Sequence, residues 1–253
     1  MRLMKCLFTE NECYKSGRTI TPQGIVVHST GANNPNLRRY VQPDDGILGK
    51  NVGNTHWNQF RPGGNQVCVH AFIGKLKDGS IATYQTLPWN MRGWHAGSGK
   101  KGSVNNTHIG FEICEDGLND KVYFDKVYKE AVELTAYLCK KYNIEVNERT
   151  VLCHSEAYKL GLASNHADVM HWFPKHGKDM NTFRKDVISM LNTNNTEVRY
   201  KTLEDIPNYG KATIKKLMDK GYLSGTNSDE GLDISKDMLR VFIINDRAGL
   251  YDR

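Results

Sequence analysis

Apolar residues along this chain fall into short uninterrupted runs, and several of these end abruptly in a polar cluster. Gly24-Ile25-Val26-Val27-His28-Ser29-Thr30 reads as a strand over 24–30, since a run of that length bounded by turn residues is buried on both faces. Strands are also predicted over 66–73 and 81–85, joined by Lys77-Asp78-Gly79-Ser80. An Asp-Gly pair between two strand-like runs favours a tight hairpin, because the glycine accepts positive φ. Residues 108–115 predict a central strand, and Val151-Leu152-Cys153 is a further apolar run that ends in His154. The stretch 36–60 is polar, with Gly and Pro around Asp44-Asp45-Gly46, and is expected to hold turns and short helices.

The period then changes. Val127, Ala131, Leu134, Leu138 and Tyr142 share one stripe, which predicts an amphipathic helix over 124–143. A second helix is expected over 179–192. Asn192-Thr193-Asn194-Asn195-Thr196 has no apolar anchor and reads as linker. Two more helices, 212–221 and 236–245, follow with a Gly-, Ser- and Asn-rich loop between them. The expected organisation is a domain over 1–192, a linker over 193–203 and a small helical module over 204–253, too short for a large core of its own.

Composition narrows the class. With 253 residues, 39% hydrophobic and 25% charged, the chain has the make-up of a globular protein with a substantial core. No run approaches the length of a membrane span, and the first ten residues lack the apolar core of a secretory signal. Six cysteines are scattered without CxxC spacing, several inside apolar runs, as expected of free thiols in a reducing cytoplasm. A net charge of +6 suggests a polyanionic partner: nucleic acid, an anionic wall polymer or an acidic membrane surface. Basic residues are dispersed rather than interleaved with aromatics, which disfavours nucleic acid.

The candidate chemistry lies where apolar runs meet histidine. His28 and His154 each end such a run, where a rigid backbone delivers the ring to a sheet rim facing solvent. A third polar cluster, Asn165-His166-Ala167-Asp168, precedes His171-Trp172-Phe173-Pro174. Two histidines and one further ligand, with a fourth position open, is the composition of a catalytic zinc site. Asp168, His166 and His171 are the alternatives for that third ligand. Glu112 lies between Phe111 and Ile113, so alternation turns it away from them, and a carboxylate on a central strand must serve a cleft or be paired. His70, inside a strand, reads as structural. Trp57, Trp94 and Trp172 either stack on sugar or pack the core.

In order along the chain, His28-Ser29-Thr30-Gly31, Val69-His70-Ala71-Phe72-Ile73, Arg92-Gly93-Trp94-His95-Ala96-Gly97, Ile109-Gly110-Phe111-Glu112-Ile113 and His154-Ser155-Glu156 resemble the zinc-dependent N-acetylmuramoyl-L-alanine amidases of the type 2 family. That family includes phage endolysins and relatives of the peptidoglycan recognition proteins. The resemblance covers roughly residues 20–190 and rests on the ordered combination. It implies an α/β fold, a mixed central sheet flanked by helices, with one zinc ion in a groove. It implies hydrolysis of the amide between muramic acid and L-alanine of the stem peptide. His28, His154 and Asp168 match the metal ligands, and Glu112 matches the general acid/base. His166 stands where many relatives carry a lysine thought to steady the oxyanion. His95, Trp94, Arg92 and Asn106 are candidate substrate contacts along the groove.

The module at 204–253 loosely resembles one S-layer-homology-type repeat, implying attachment to a secondary cell-wall polymer, with homo-oligomerisation bringing several copies together. A helical hairpin that only dimerises is the alternative; a helix-turn-helix DNA reader is disfavoured by Asp237 and Asp246. The reading that results is a phage or prophage endolysin, held in the host cytoplasm until release to the wall of a Gram-positive bacterium. A bacterial autolysin and a non-catalytic wall-binding protein on the same fold are the alternatives.

Overall fold

Six strands form the first sheet: β1 (Leu3–Lys5), β2 (Gly24–Ser29), β3 (Ala71–Lys75), β4 (Ile81–Gln85), β5 (His108–Ile113) and β6 (Val151–Cys153). In this computed structural model, which describes residues 1–60, 66–193, 198–223 and 231–252, they lie in the order β1-β4-β3-β5-β2-β6. Only β3 and β4 run antiparallel, joined by the expected Asp78-Gly79 turn with Gly79 at φ +82°. The other neighbours are parallel. The sheet is therefore mixed, as the α/β reading requires.

Alternation along the central strands separates two layers. Ile25, Val27, Ile109, Phe111 and Ile113 face one side and pack under α2 (Lys121–Tyr142) and α4 (Met180–Thr193). The predicted stripe of α2 is buried at Val127, Ala131, Leu134 and Leu138. The helix starts where Asp120 accepts the Tyr123 N–H and stops at Asn143 in the left-handed region. The opposite side carries Val26, packed with Leu152 and Ala96, and Phe72, packed with Tyr40 and Trp57. His28 and Glu112 point to this second side, and the β2–β5 register places them side by side.

Several elements depart from the sequence pattern. Cys68 leaves the sheet to exchange backbone hydrogen bonds with Trp94, so the expected 66–73 strand begins only at Ala71. β6 is three residues long, and His154 opens α3 (His154–Lys159) rather than ending a strand. The Glu156 carboxylate accepts the Cys153 N–H, and Arg184 of α4 holds Glu156 and the Val151 carbonyl. The short segments β1 and α1 (Glu12–Lys15) carry too few residues to show a period.

The chain divides into two compact units, 1–191 and 192–253. The second contains α5 (Asn208–Asp219) and α6 (Lys236–Arg247), with β7 (Arg199–Tyr200) paired to β8 (Ile234–Ser235). β7 falls inside the stretch expected to be linker. Much of the Asn-rich stretch and of the loop between the two helices lies outside the described residues. Tyr200, Ile206, Ile214, Leu217, Ile234, Leu239 and Ile243 make this unit's core.

Phe124 is 1% exposed, and its ring lies 5.3 Å from that of Trp172 and 5.6 Å from that of Phe173. Phe124→Ala should cost the first unit about 3–5 kcal/mol, read from the shift of its urea unfolding transition.

Candidate functional site

On the second face of the sheet, β2, β5, the start of α3 and the segment 164–171 enclose a cavity of about 460 Å³. His28, His154 and Asp168 converge in it: their ligand atoms all lie within 4.8 Å of one another. His28 Nδ1 is 2.9 Å from Asp168 Oδ2 and 3.2 Å from His154 Nδ1; His154 Nδ1 is 3.7 Å from Asp168 Oδ1. A tetrahedral zinc ion, 2.0–2.1 Å from nitrogen or oxygen, separates its ligands by about 3.3 Å. The three side chains fit such an ion. Of the alternatives for the third ligand, Asp168 is the one in this group; His171 is turned to Glu115 instead, at 2.9 Å.

The hydrogen bonds behind the two histidines fix their tautomers. His95 Nε2 lies 3.3 Å from the His108 carbonyl, which only accepts, so that nitrogen carries the proton. His95 Nδ1 is then the acceptor for His28 Nε2–H, at 3.0 Å. On the other side, the Ser164 hydroxyl donates to the Ala96 carbonyl at 3.2 Å and accepts His154 Nε2–H at 3.4 Å. Both relays leave an Nδ1 lone pair aimed at the common point, as ligation requires. Burial, followed by neighbouring His28, holds His95 well below the usual imidazole range and brings His154 down to about 4. Both rings are therefore neutral near pH 7. Burial opposes ionisation of Asp168, but its place beside His28 and His154 outweighs this and lowers its pKa.

His28 does not face solvent at a sheet rim as expected from its position: it is 1% exposed, roofed by His95 and His154. Glu112 lines the same cavity, and its Oε2 is buried without a hydrogen-bond partner. Burial, with smaller contributions from Asp168 and Glu115, pushes its carboxyl well above the usual carboxylate range. An orphaned carboxylate oxygen over a sheet is costly, and a proton-accepting role is one physical reason to keep it.

The Ser-Thr-Gly turn after His28 is locked by Glu115. Thr30 Oγ1 accepts the Glu115 N–H at 3.0 Å, and Glu115 Oε1 accepts the Gly31 N–H at 3.0 Å. Sequence reasoning missed Glu115, Ser164 and Asn105, whose Oδ1 accepts the N–H groups of His95 and Ala96. Glu115 carried a weak signal, an acidic residue ending an apolar strand; the other two carried none.

The remaining candidates separate by place. His166 is exposed on the cavity wall, its ring 4.7 Å from that of His154. Trp94 lines the cavity with the Arg92 guanidinium 5.1 Å above its ring, and Arg92 donates to Asn106 Oδ1 at 2.8 Å. Arg92 and Asn106 thus brace Trp94 from outside the lining. His95, expected along the groove, is 8% exposed with both ring nitrogens engaged. His70 accepts the Gly110 N–H and donates to the Met91 carbonyl, a structural role. Trp172 is fully buried, and Trp57 packs edge-on against Phe72. The segment around Asn11 stands behind the groove, its amide donating to the Trp57 and Val67 carbonyls.

His95→Phe keeps an aromatic ring at this position and removes the acceptor behind His28. Zinc affinity, measured by competition with a chromophoric chelator, should fall about 10- to 100-fold. Gly110→Ala should move affinity the same way, because a Cβ there would lie 2.4 Å from His95 Nδ1.

Residues 18–174 match the family described as N-acetylmuramoyl-L-alanine amidase. The chain is 44% identical over 64 residues to the N-acetylmuramoyl-L-alanine amidase CwlH of Bacillus subtilis, a match covering 25% of this chain and 24% of that protein. It is 32% identical over 137 residues to the amidase XlyA of the same organism, covering 52% of this chain and 37% of XlyA. The matched stretches thus span well under half the length of these relatives. The fold is similar to that of the Staphylococcus aureus hydrolase AmiA, with TM-score 0.53 and 18% identity over 77% of this chain and 85% of AmiA. The PlyG catalytic domain gives TM-score 0.51 and 21% identity over 76% of this chain and 96% of that domain. These two show a shared fold alone. A family match that takes in β2, β5, α3 and all three converging side chains places this chain in the N-acetylmuramoyl-L-alanine amidase family.

Proposed function

We propose that this chain hydrolyses the amide between the lactyl group of N-acetylmuramic acid and the L-alanine of the peptidoglycan stem peptide. The observation that carries this reading is one cavity holding three convergent ligands with fixed lone pairs beside a buried, unpartnered carboxylate. The amidases CwlH and XlyA, to which parts of the chain are similar, support the same substrate class. His28, His154 and Asp168 would hold zinc, which when bound polarises a carbonyl and makes water acidic.

Glu112 takes a proton from the attacking water at its orphaned Oε2 and returns it to the departing alanine nitrogen. A carboxyl whose pKa is raised is a stronger proton acceptor than an ordinary carboxylate. His166, on the cavity wall, donates to the developing oxyanion, and such a donor contributes about 2–4 kcal/mol to transition-state stability. Trp94, stiffened by Arg92 and Asn106, offers an apolar face to the substrate. His95 acts as a positioning residue through His28. We further read the chain as a phage or prophage endolysin of a Gram-positive host, held in the cytoplasm until release, with its second unit attaching to a wall polymer or joining copies of the chain.

On purified Gram-positive peptidoglycan, the full chain should release new L-alanine amino groups without new reducing sugar ends. Chelator should abolish the release and added zinc restore it. New reducing ends, or amine release indifferent to chelator, would refute the reading. Glu112→Gln should lower kcat by about 10²–10⁴-fold while leaving wall sedimentation of the protein unchanged; unchanged turnover would remove Glu112 from the chemistry.

The same variant tests the cost of the buried carboxyl. A group whose pKa is raised by folding binds its proton more tightly in the native state. Stability of the metal-free protein is therefore lost as pH climbs above the ordinary carboxylate pKa and through the elevated one. Glutamine has no such loss. Metal-free Glu112→Gln should melt above the parent at pH 7.5 and with it near pH 4, by differential scanning calorimetry at both pH values.

A further inference from the structure

Beyond Ser164 lies a second cavity, of about 690 Å³, whose walls are the loop Ser98–Lys101 and the turn Tyr158–Ser164. Ser164 lines both this cavity and the one that holds the three converging side chains. Three lysines, Lys100, Lys101 and Lys159, stand around it, all exposed. No carboxylate pairs with any of them among the described residues. The walls are firmly joined: Lys101 N–H donates to the Gly161 carbonyl and Val104 N–H to the Leu162 carbonyl, at 2.8 and 2.9 Å. Gly99 fits because its backbone approaches Gly161 so closely that a Cβ would meet the carbonyl at 2.3 Å.

We propose that this lysine-lined cavity is a subsite for a free carboxylate of the stem peptide, an inference that rests on the amidase reading. The argument is one of charge and continuity. A ligand filling both cavities is a single molecule that passes Ser164. The muramic carboxyl is consumed in the scissile amide, so the glycan side of that molecule is neutral. Its negative charge is on the peptide side, in carboxylates that follow the alanine. Three unpaired ammonium groups around one concave extension complement that side of the substrate and not the other. The subsite therefore discriminates between stems whose glutamyl α-carboxyl is free and stems in which it is amidated.

The test titrates the full, zinc-loaded chain with the tripeptide L-alanyl-γ-D-glutamyl-L-lysine and with the same peptide amidated at the glutamyl α-carboxyl. The parent should bind the acid form about fivefold more tightly, in line with a few exposed ion pairs. Lys100→Gln/Lys101→Gln/Lys159→Gln should bind both forms alike, with an unchanged melting temperature. Equal binding of both peptides by the parent overturns the proposal, and so does a preference that survives in the triple variant. Loss of binding to poly(glycerol phosphate) in the variant, without any peptide discrimination in the parent, gives the lysines to a wall polymer and overturns it too. Amine release from peptidoglycan, measured on the same preparation, separates the two claims. Its absence alongside intact peptide discrimination overturns the amidase reading and leaves the carboxylate site standing.

Discussion

Two imidazole lone pairs and a carboxylate face one another across 2.9–3.7 Å, and much of the first unit exists to hold them there. With the Nε2 protons of His28 and His154 committed to His95 and Ser164, the two Nδ1 atoms have no hydrogen to share. Such an arrangement is repulsive unless a cation sits among the three. Its persistence requires rigid supports on each side: β2 under His28, the first turn of α3 under His154, and relays ending on backbone carbonyls. A carbonyl cannot change its role as acceptor, so tautomer choice propagates from the backbone outward to the ligand atom.

The sheet register then settles where chemistry can occur. Pairing of His28 with Glu112 across β2 and β5 is a backbone fact, set by strands whose other face is buried under α2. Slipping β2 or β5 by a residue would turn that strand's His28 or Glu112 into the core. The burial that keeps the register also desolvates Glu112 and raises its pKa, so fold stability and the character of this carboxyl have one cause. Glu115, three residues further on and just past the end of β5, locks the loop after His28 and orients His171.

The strands, the hairpin turn and the main helices were legible because their periods are long or their punctuation strong. The run ending in His28, the Asp78-Gly79 turn and the α2 stripe are examples. The residues brought together in the candidate site were legible in sequence only through an ordered resemblance, since residues 28 and 168 meet through tertiary packing that no local pattern encodes. What escaped is of a different kind. His95 reads as a groove residue by resemblance and lines the cavity, but the sequence did not show that Asn105 grips its backbone and sets its ring behind His28. Asn105, Asn11 and Ser164 act through a few side-chain bonds to nearby groups, and Asn and Ser residues outside regular elements are too common for any one to stand out. Cys68 shows the same limit for strands: it exchanges backbone hydrogen bonds with Trp94, and no local pattern links the two residues.

Charge is distributed against the overall balance of the protein. The chain carries a net +6, but Glu112 and Asp168 line the cavity among imidazoles that burial keeps neutral at His95 and His154. The acidic groups there attract a cation, while the neighbouring cavity that shares Ser164 is lined by three lysines with no carboxylate partner among the described residues. On the proposed reading, a substrate neutral at its scissile amide and acidic further along would be oriented by that separation. Reversed, it would set its carboxylates over those of Glu112 and Asp168.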